Sequence, residues 1–225
     1  VSLADTFTVV AWDAPGCGRS DDPPTGFSID DYARCLERLV VALDLGRPHL
    51  VGLSFGATVA LALAQLSPKL PRSLVLASAY AGWGGSLAPE EIAARVDGFL
   101  SQLELPPDKL AAQWLPSLFS ADARPDVTRE AGEIIRAFHP GAARTMVGAM
   151  AECDLRPGLP GVAVPTLLLY GDDDLRAPRP IAEDLHRAIS GSELVFIPNA
   201  GHQVNLEQPV LFDRAVRSFL SRVAA

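Results

Sequence analysis

Residues 49–59 read HLVGLSFGATV, an apolar run that carries one serine between two glycines. Ser54 stands two positions from Gly52 and two from Gly56. The residues before it are those of a buried strand, and Ala57–Leu66 has the composition of a buried helix. A serine placed at such a strand-to-helix seam has the setting of a Gly-x-Ser-x-Gly nucleophile elbow. The turn is so tight that its flanking positions are expected to lack side chains, hence glycine at both. Ser54 is then lifted above the sheet edge, where a helix N-terminus favours developing negative charge. The backbone N–H of Phe55 becomes a candidate oxyanion donor.

The pattern around this seam predicts an α/β protein. Short apolar or β-branched runs recur at Phe7–Trp12, His49–Leu53, Ser73–Ala77, Thr166–Tyr170 and Glu193–Ile197. Each is continuous rather than alternating, as buried parallel strands are. Helical spacing separates them. Ser28 opens one helix with Tyr32, Leu36, Leu39, Val40 and Leu43 on a face and Gly46 as its stop. Ile181, Leu185 and Ile189 mark another, ending at Gly191, and Pro209 opens a last one. Strand–helix alternation implies a mostly parallel, doubly wound sheet.

Residues 81–160 carry helical signals only, beginning near Pro89, Pro107, Val127 and Gly141. An all-helical insertion between two strands is expected to form a cap over the strands' carboxyl ends. The expected division is a core of residues 1–80 and 161–225 and a cap of residues 81–160. Trp83, Trp114, Phe119, Phe138, Met146 and Met150 are candidates to line a pocket beneath it.

A serine hydroxyl needs a base, and the base needs an orienting acid. Of the four histidines, His49 begins a strand, His186 lies in a half-exposed helix and His139 belongs to the cap. His202 stands just after the last strand, where an α/β sheet presents reactive groups. The loop Gly171-Asp172-Asp173-Asp174 follows another strand and offers three carboxylates.

These stretches together resemble the α/β-hydrolase family over essentially the whole chain. Gly171, Asp172, Asp174 and Pro178 match the family's acid loop, so the resemblance gives Asp174 the acid role and leaves Asp172 and Asp173 as loop residues. Gly201-His202 with Glu207 and Pro209 resembles the family's histidine loop. Asp13-Ala14-Pro15-Gly16-Cys17-Gly18-Arg19-Ser20 resembles its early structural turn. The implied site is Ser54 as nucleophile, His202 as base, Asp174 as acid and the Phe55 N–H as oxyanion donor, with no cofactor and no metal.

The implied reaction is acyl transfer to water on a small ester or lactone. Locally, Glu152–Arg156 and Val164-Pro165-Thr166 are similar to small-ester and enol-lactone hydrolases such as 3-oxoadipate enol-lactonase. The same triad serves carbon–carbon bond hydrolases and cofactor-free perhydrolases. A ligand-binding receptor or regulator on the same scaffold is the alternative outside enzymes.

The 225 residues are 48 % apolar and 20 % charged, with a formal net charge of −8. The acidic balance and the lack of a basic stripe argue against nucleic acid. No stretch is long and apolar enough for a membrane span. Cys17, Cys35 and Cys153 lack metal or disulfide spacing, which suits reduced thiols and a cytoplasmic setting. The family resemblance also implies strands ahead of Phe7–Trp12 and a His-Gly loop bearing a second oxyanion donor. No His-Gly dipeptide occurs in the sequence. The expectation is therefore a chain that continues upstream by roughly 40–50 residues, at ordinary strand and loop lengths.

Overall fold

The computed structural model describes residues 3–224. Its sheet has four parallel strands in the order β1 (His49–Leu53), β2 (Ser73–Ala77), β3 (Thr166–Gly171) and β4 (Glu193–Ile197). Strands β2 and β3 lie in the middle and are buried along their full length. Alternate residues supply the two faces, as a pleat requires. Leu74, Leu76, Leu168 and Tyr170 join the cluster with helices α1 (Ile29–Ala42), α2 (Phe55–Leu66) and α7 (Arg179–Ala188). Val75, Ala77, Leu167 and Leu169 face Val216, Phe219 and Leu220 of α9 (Pro209–Ala224). Helices on both faces are the doubly wound arrangement that the continuous apolar runs imply.

The flanking strands depart from the uniform burial expected of them. Strand β1 is only partly covered, with Val51 49 % exposed, and Glu193 of β4 lies in solvent. Edge position explains both, since among the described residues β1 pairs only with β2 and β4 only with β3.

Phe7–Trp12 is not a strand. The segment runs without secondary structure, and Val9 and Val10 are 42 % and 44 % exposed. Its β-branched and aromatic residues have the propensity for a strand, but propensity forms no ladder without a partner. Instead Phe7 packs against the α9 face and sets its ring edge-on to His49, while Trp12 packs on the opposite core.

Between β2 and β3 the chain forms four helices, α3 (Pro89–Gln102), α4 (Pro107–Leu118), α5 (Pro125–Arg136) and α6 (Pro140–Glu152). Each opens on proline at its first residue, where the missing N–H costs nothing. Leu110, Trp114, Leu118, Ala131, Ile135 and Ala143 form an apolar cluster of their own. Helix α6 also reaches the main core through Ala149 and Met150, which ties the insertion to the sheet layer. A 3-10 turn, Arg156–Gly161, leads back to β3, and the short helix α8 (Val204–Glu207) precedes α9.

Helix α1 begins with a complete capping box. The Ser28 hydroxyl caps the Asp31 N–H at 3.2 Å, and the Asp31 carboxylate accepts the Ser28 N–H at 3.0 Å. The helix stops at Ala42, short of Gly46, because Asp44 already adopts a left-handed φ of +50°. Its Tyr32 ring stands edge-on to Phe55 at 4.9 Å, so α1 buttresses the first residue of α2. Ser28→Ala removes one side of the cap and should lower stability by about 1 kcal/mol. The shift of the urea midpoint measures it, and an unchanged midpoint would show that the box contributes nothing.

Candidate active site

Ser54 closes β1 and precedes the first residue of α2, in a left-handed conformation with φ +51° and ψ −111°. A non-glycine residue there is strained, and the contacts on either side hold it. Its N–H donates to the Ala77 carbonyl at 2.8 Å, and its carbonyl accepts the Thr58 N–H at 3.0 Å. The hydroxyl makes no capping bond to the helix, so it is left for the cavity above. Gly52 is forced: a Cβ there would lie 2.4 Å from the Gly56 carbonyl oxygen. Gly56 is not forced in the same way, because a Cβ at that position meets nothing within 4 Å among the described residues. The steric need for glycine thus falls on one side of the serine, not on both. As the first N–H of α2, that of Phe55 has no intrahelical acceptor.

Two loops bring the other predicted residues together. The acid loop after β3 and the histidine loop after β4 are joined by backbone bonds, Asp172 N–H to the Ile197 carbonyl at 3.0 Å and Asp173 N–H to that of Ala200 at 2.9 Å. Gly171 permits this approach, since a Cβ there would sit 2.0 Å from the Ala200 oxygen. His202 Nδ1 then lies 2.9 Å from Asp174 Oδ2, and both residues are buried. Asp174 Oδ1 accepts the N–H groups of Arg176 at 2.9 Å and Ala177 at 2.8 Å. Burial by itself would raise the Asp174 carboxyl. The bond and charge of His202 and the Ala177 N–H outweigh it and hold the group below its ordinary value. A carboxylate so placed stays ionised and fixes the ring that it faces.

Three residues that sequence reasoning did not single out complete the setting. Ser78, buried and at φ +46°, donates its hydroxyl to the His202 carbonyl at 3.0 Å. Tyr80 donates to the Arg176 carbonyl, and burial pushes its phenol up to about 12, so it remains a donor. Glu207, quoted above only as part of the histidine-loop match, has a structural task. One carboxylate oxygen accepts the Gly201 N–H at 2.6 Å, while the other takes the Ser120 N–H at 2.9 Å and the Ser120 hydroxyl at 2.6 Å. It clamps the histidine loop to the connection between α4 and α5 of the helical insertion. Gly201 fits beneath because a Cβ there would lie 2.7 Å from the Phe119 backbone.

The remaining sequence candidates lie elsewhere. Asp172 pairs with Arg179 at 2.8 Å in solvent, and Asp173 is exposed. His49 Nδ1 meets Ser73 Oγ at 2.7 Å, His186 Nδ1 meets Ser192 Oγ at 2.9 Å, and half-buried His139 pairs with Asp22 at 2.7 Å. The early turn is structural: Gly16 and Gly18 have positive φ, and a Cβ on Gly18 would strike the Asp13 carboxylate. Cys17, Cys35 and Cys153 are free thiols, and burial pushes Cys153 up to about 12. Among the described residues no group of three or more His, Cys, Asp or Glu could hold a metal. No described helix is long and apolar enough to cross a membrane.

Ser54 and His202 face a cavity between the strand ends and the insertion, and it has two lobes. One, of about 340 Å³, includes Tyr80, Arg95, Gln102 and Arg176 in its wall. The other, of about 310 Å³, is lined mainly by apolar residues, among them Trp83, Trp114, Phe138, Met146 and Met150. Phe119, the sixth pocket candidate, packs inside the insertion's own cluster instead.

The family model for the alpha/beta hydrolase family matches residues 1–215. The chain belongs to the alpha/beta hydrolase family. A Variovorax paradoxus protein named "Putative carbamate hydrolase RutD" is 32 % identical, with 96 % of this chain and 82 % of that protein covered. A thermophilic esterase from Thermogutta terrifontis superposes with a TM-score of 0.89 at 30 % identity, covering 99 % of this chain and 83 % of the other. The enol-lactonase from Burkholderia xenovorans gives 0.88 at 27 % identity, covering 98 % and 83 %. Family and relatives support a hydrolase; the bond it cleaves is a separate question.

Glu207→Ala strips three bonds that hold the histidine loop to the insertion. Hydrogen bonds to a charged group contribute more than neutral ones, and a loss of about 2 kcal/mol is expected. Denaturant titration reads it, and a loss within error of zero would show the clamp to be incidental.

Proposed function

We propose that this protein is a serine hydrolase that cleaves a small carboxylic ester or lactone through an acyl-enzyme on Ser54. The observation that carries the reading is the buried Asp174–His202 pair at 2.9 Å, opening on the cavity that Ser54 also lines. In the reaction His202 Nε2 takes the Ser54 proton as the oxygen attacks the carbonyl. Asp174 keeps the proton of Nδ1 directed at itself and stabilises the imidazolium that forms. The Phe55 N–H and the start of α2 receive the developing oxyanion. His202 then gives its proton to the leaving oxygen, and water repeats the sequence to release the acid. The helical insertion acts as the cap that shapes specificity, and the substrate is a small molecule. No cofactor enters this scheme.

One relative favours a second substrate. The protein at 32 % identity is named for carbamate hydrolysis, and a carbamate carbonyl is open to the same attack. Parallel assays with an alkyl ester and an alkyl carbamate separate the two, the first read by the carboxylic acid released and the second by the ammonia released.

Ser54→Ala should abolish turnover, a loss on the order of 10⁶-fold for a triad nucleophile. Asp174→Asn should cost ~10⁴-fold because the wrong tautomer is favoured. Asp172→Asn, at a solvent pair, should change little. Steady-state kinetics on folded variants test the order, and Asp172→Asn proving worst would shift the acid to that residue.

A further inference from the structure

The two lobes that meet at Ser54 and His202 differ in chemistry, and no Asp or Glu lines the one that holds Arg95 and Arg176. The two arginines are used differently. Arg95 is spoken for: its guanidinium donates to Glu91 at 2.9 Å, to the Tyr80 oxygen at 3.2 Å and to the Arg176 carbonyl at 3.1 Å. It also sits 5.9 Å from the Tyr80 ring centre and 5.8 Å from that of Trp83. With Tyr80, which bonds the same carbonyl, it pins the Arg176 backbone. Arg176 N–H is held from the other side by Asp174. The Arg176 guanidinium itself makes no hydrogen bond or ion pair among the described residues, and the residue borders both lobes. Asp174, the buried carboxylate of the acid loop, has its oxygens on His202 and on two backbone N–H groups.

A partly buried guanidinium with its donors free, carried on a backbone that is held in place, is matched by a planar anion, which it binds through two parallel N–H···O bonds. Resting on the serine-hydrolase reading, we infer that the natural substrate bears a carboxylate that seats on Arg176, beside the carbonyl that Ser54 attacks. The rest of the substrate is apolar and fills the second lobe. One free guanidinium balances one negative charge, and the charge of Arg95 is already paired with Glu91. That favours a carboxylate over a phosphate dianion, which would call on a second set of donors. The site lies in a chain of net charge −8, so the attraction is local to the lobe.

Two sets of esters test this. Monoethyl malonate, succinate and glutarate are compared with ethyl esters of neutral acids of matched length, and 3-acetoxypropanoate with propyl acetate. Acid release in a pH-stat avoids reactive leaving groups. At least one anionic ester should exceed its neutral partner in kcat/KM, on the order of 10–100-fold for a charge-assisted pair. That ratio should fall toward one in Arg176→Gln and be kept in part by Arg176→Lys. Raising salt should shrink it in the unaltered protein, a reading that needs no variant. Neutral esters turned over as well as their anionic partners, in a Ser54-dependent way, would overturn this inference and leave the hydrolase reading standing. A higher ratio for a phosphonate counterpart would overturn the carboxylate assignment. With no turnover of either class the hydrolase reading fails, and calorimetry with unreactive 4-oxopentanoate decides the subsite. Binding that weakens tenfold or more in Arg176→Gln supports it, and no binding to the unaltered protein overturns it.

Discussion

The close approach of β1 to α2 governs the rest of the structure. Gly52 lies so near the Gly56 carbonyl that only a hydrogen fits between them. That contact bends the chain sharply enough to put Ser54 at φ +51°, a conformation costing about 1–3 kcal/mol for a residue with a side chain. The strain persists because both ends of the bend are fixed in buried structure. Leu50 lies in the core on one side, and Ala57 to Ala64 form an unbroken buried stretch on the other. The outcome is a hydroxyl at a helix start with no capping duty, above the carboxyl ends of the strands.

A second constraint sets the partner. His202 and Asp174 come from different strand ends, and their meeting depends on two loops lying within van der Waals distance. Gly171 against Ala200 provides that closeness, Gly201 against Phe119 seats the histidine loop on the insertion, and Glu207 and Ser78 hold that loop with hydrogen bonds. The electrostatics follow from the packing. A carboxylate that burial would neutralise is kept ionised because imidazole and backbone donors all point at it. Arg95 and Tyr80 extend the same logic outward, fixing the backbone of Arg176, a residue that borders both lobes of the cavity.

How much of this was legible in the sequence depended on whether the signal was local. The Gly-x-Ser-x-Gly seam, the two strand-end loops and the capping box of α1 are short patterns whose meaning is set within a few residues. The positions of Ser54, Asp174 and His202 relative to strands could be read from them. Strand identity for Phe7–Trp12 could not, because a strand is a property of a pair and the segment has no described partner. Edge exposure of Val51 was hidden for the same reason. Gly56 shows a subtler limit: the motif implied two steric demands, and the structure presents one. Arg176 stood in plain view, two residues after Asp174, but its significance needs Arg95 and Tyr80, which lie about eighty and a hundred residues earlier. Spacing along a chain carries no trace of that meeting. The task of Glu207 likewise needed Ser120, contributed by the insertion.

The central claim is that the Ser54 oxygen becomes covalently acylated. Intact-protein and peptide mass spectrometry after treatment with a fluorophosphonate reads this at the residue. The account predicts one adduct per chain, on the peptide containing Ser54, and none in Asp174→Asn under the same brief exposure. Labelling of another serine with Ser54 unmodified, in protein that hydrolyses esters, would contradict it.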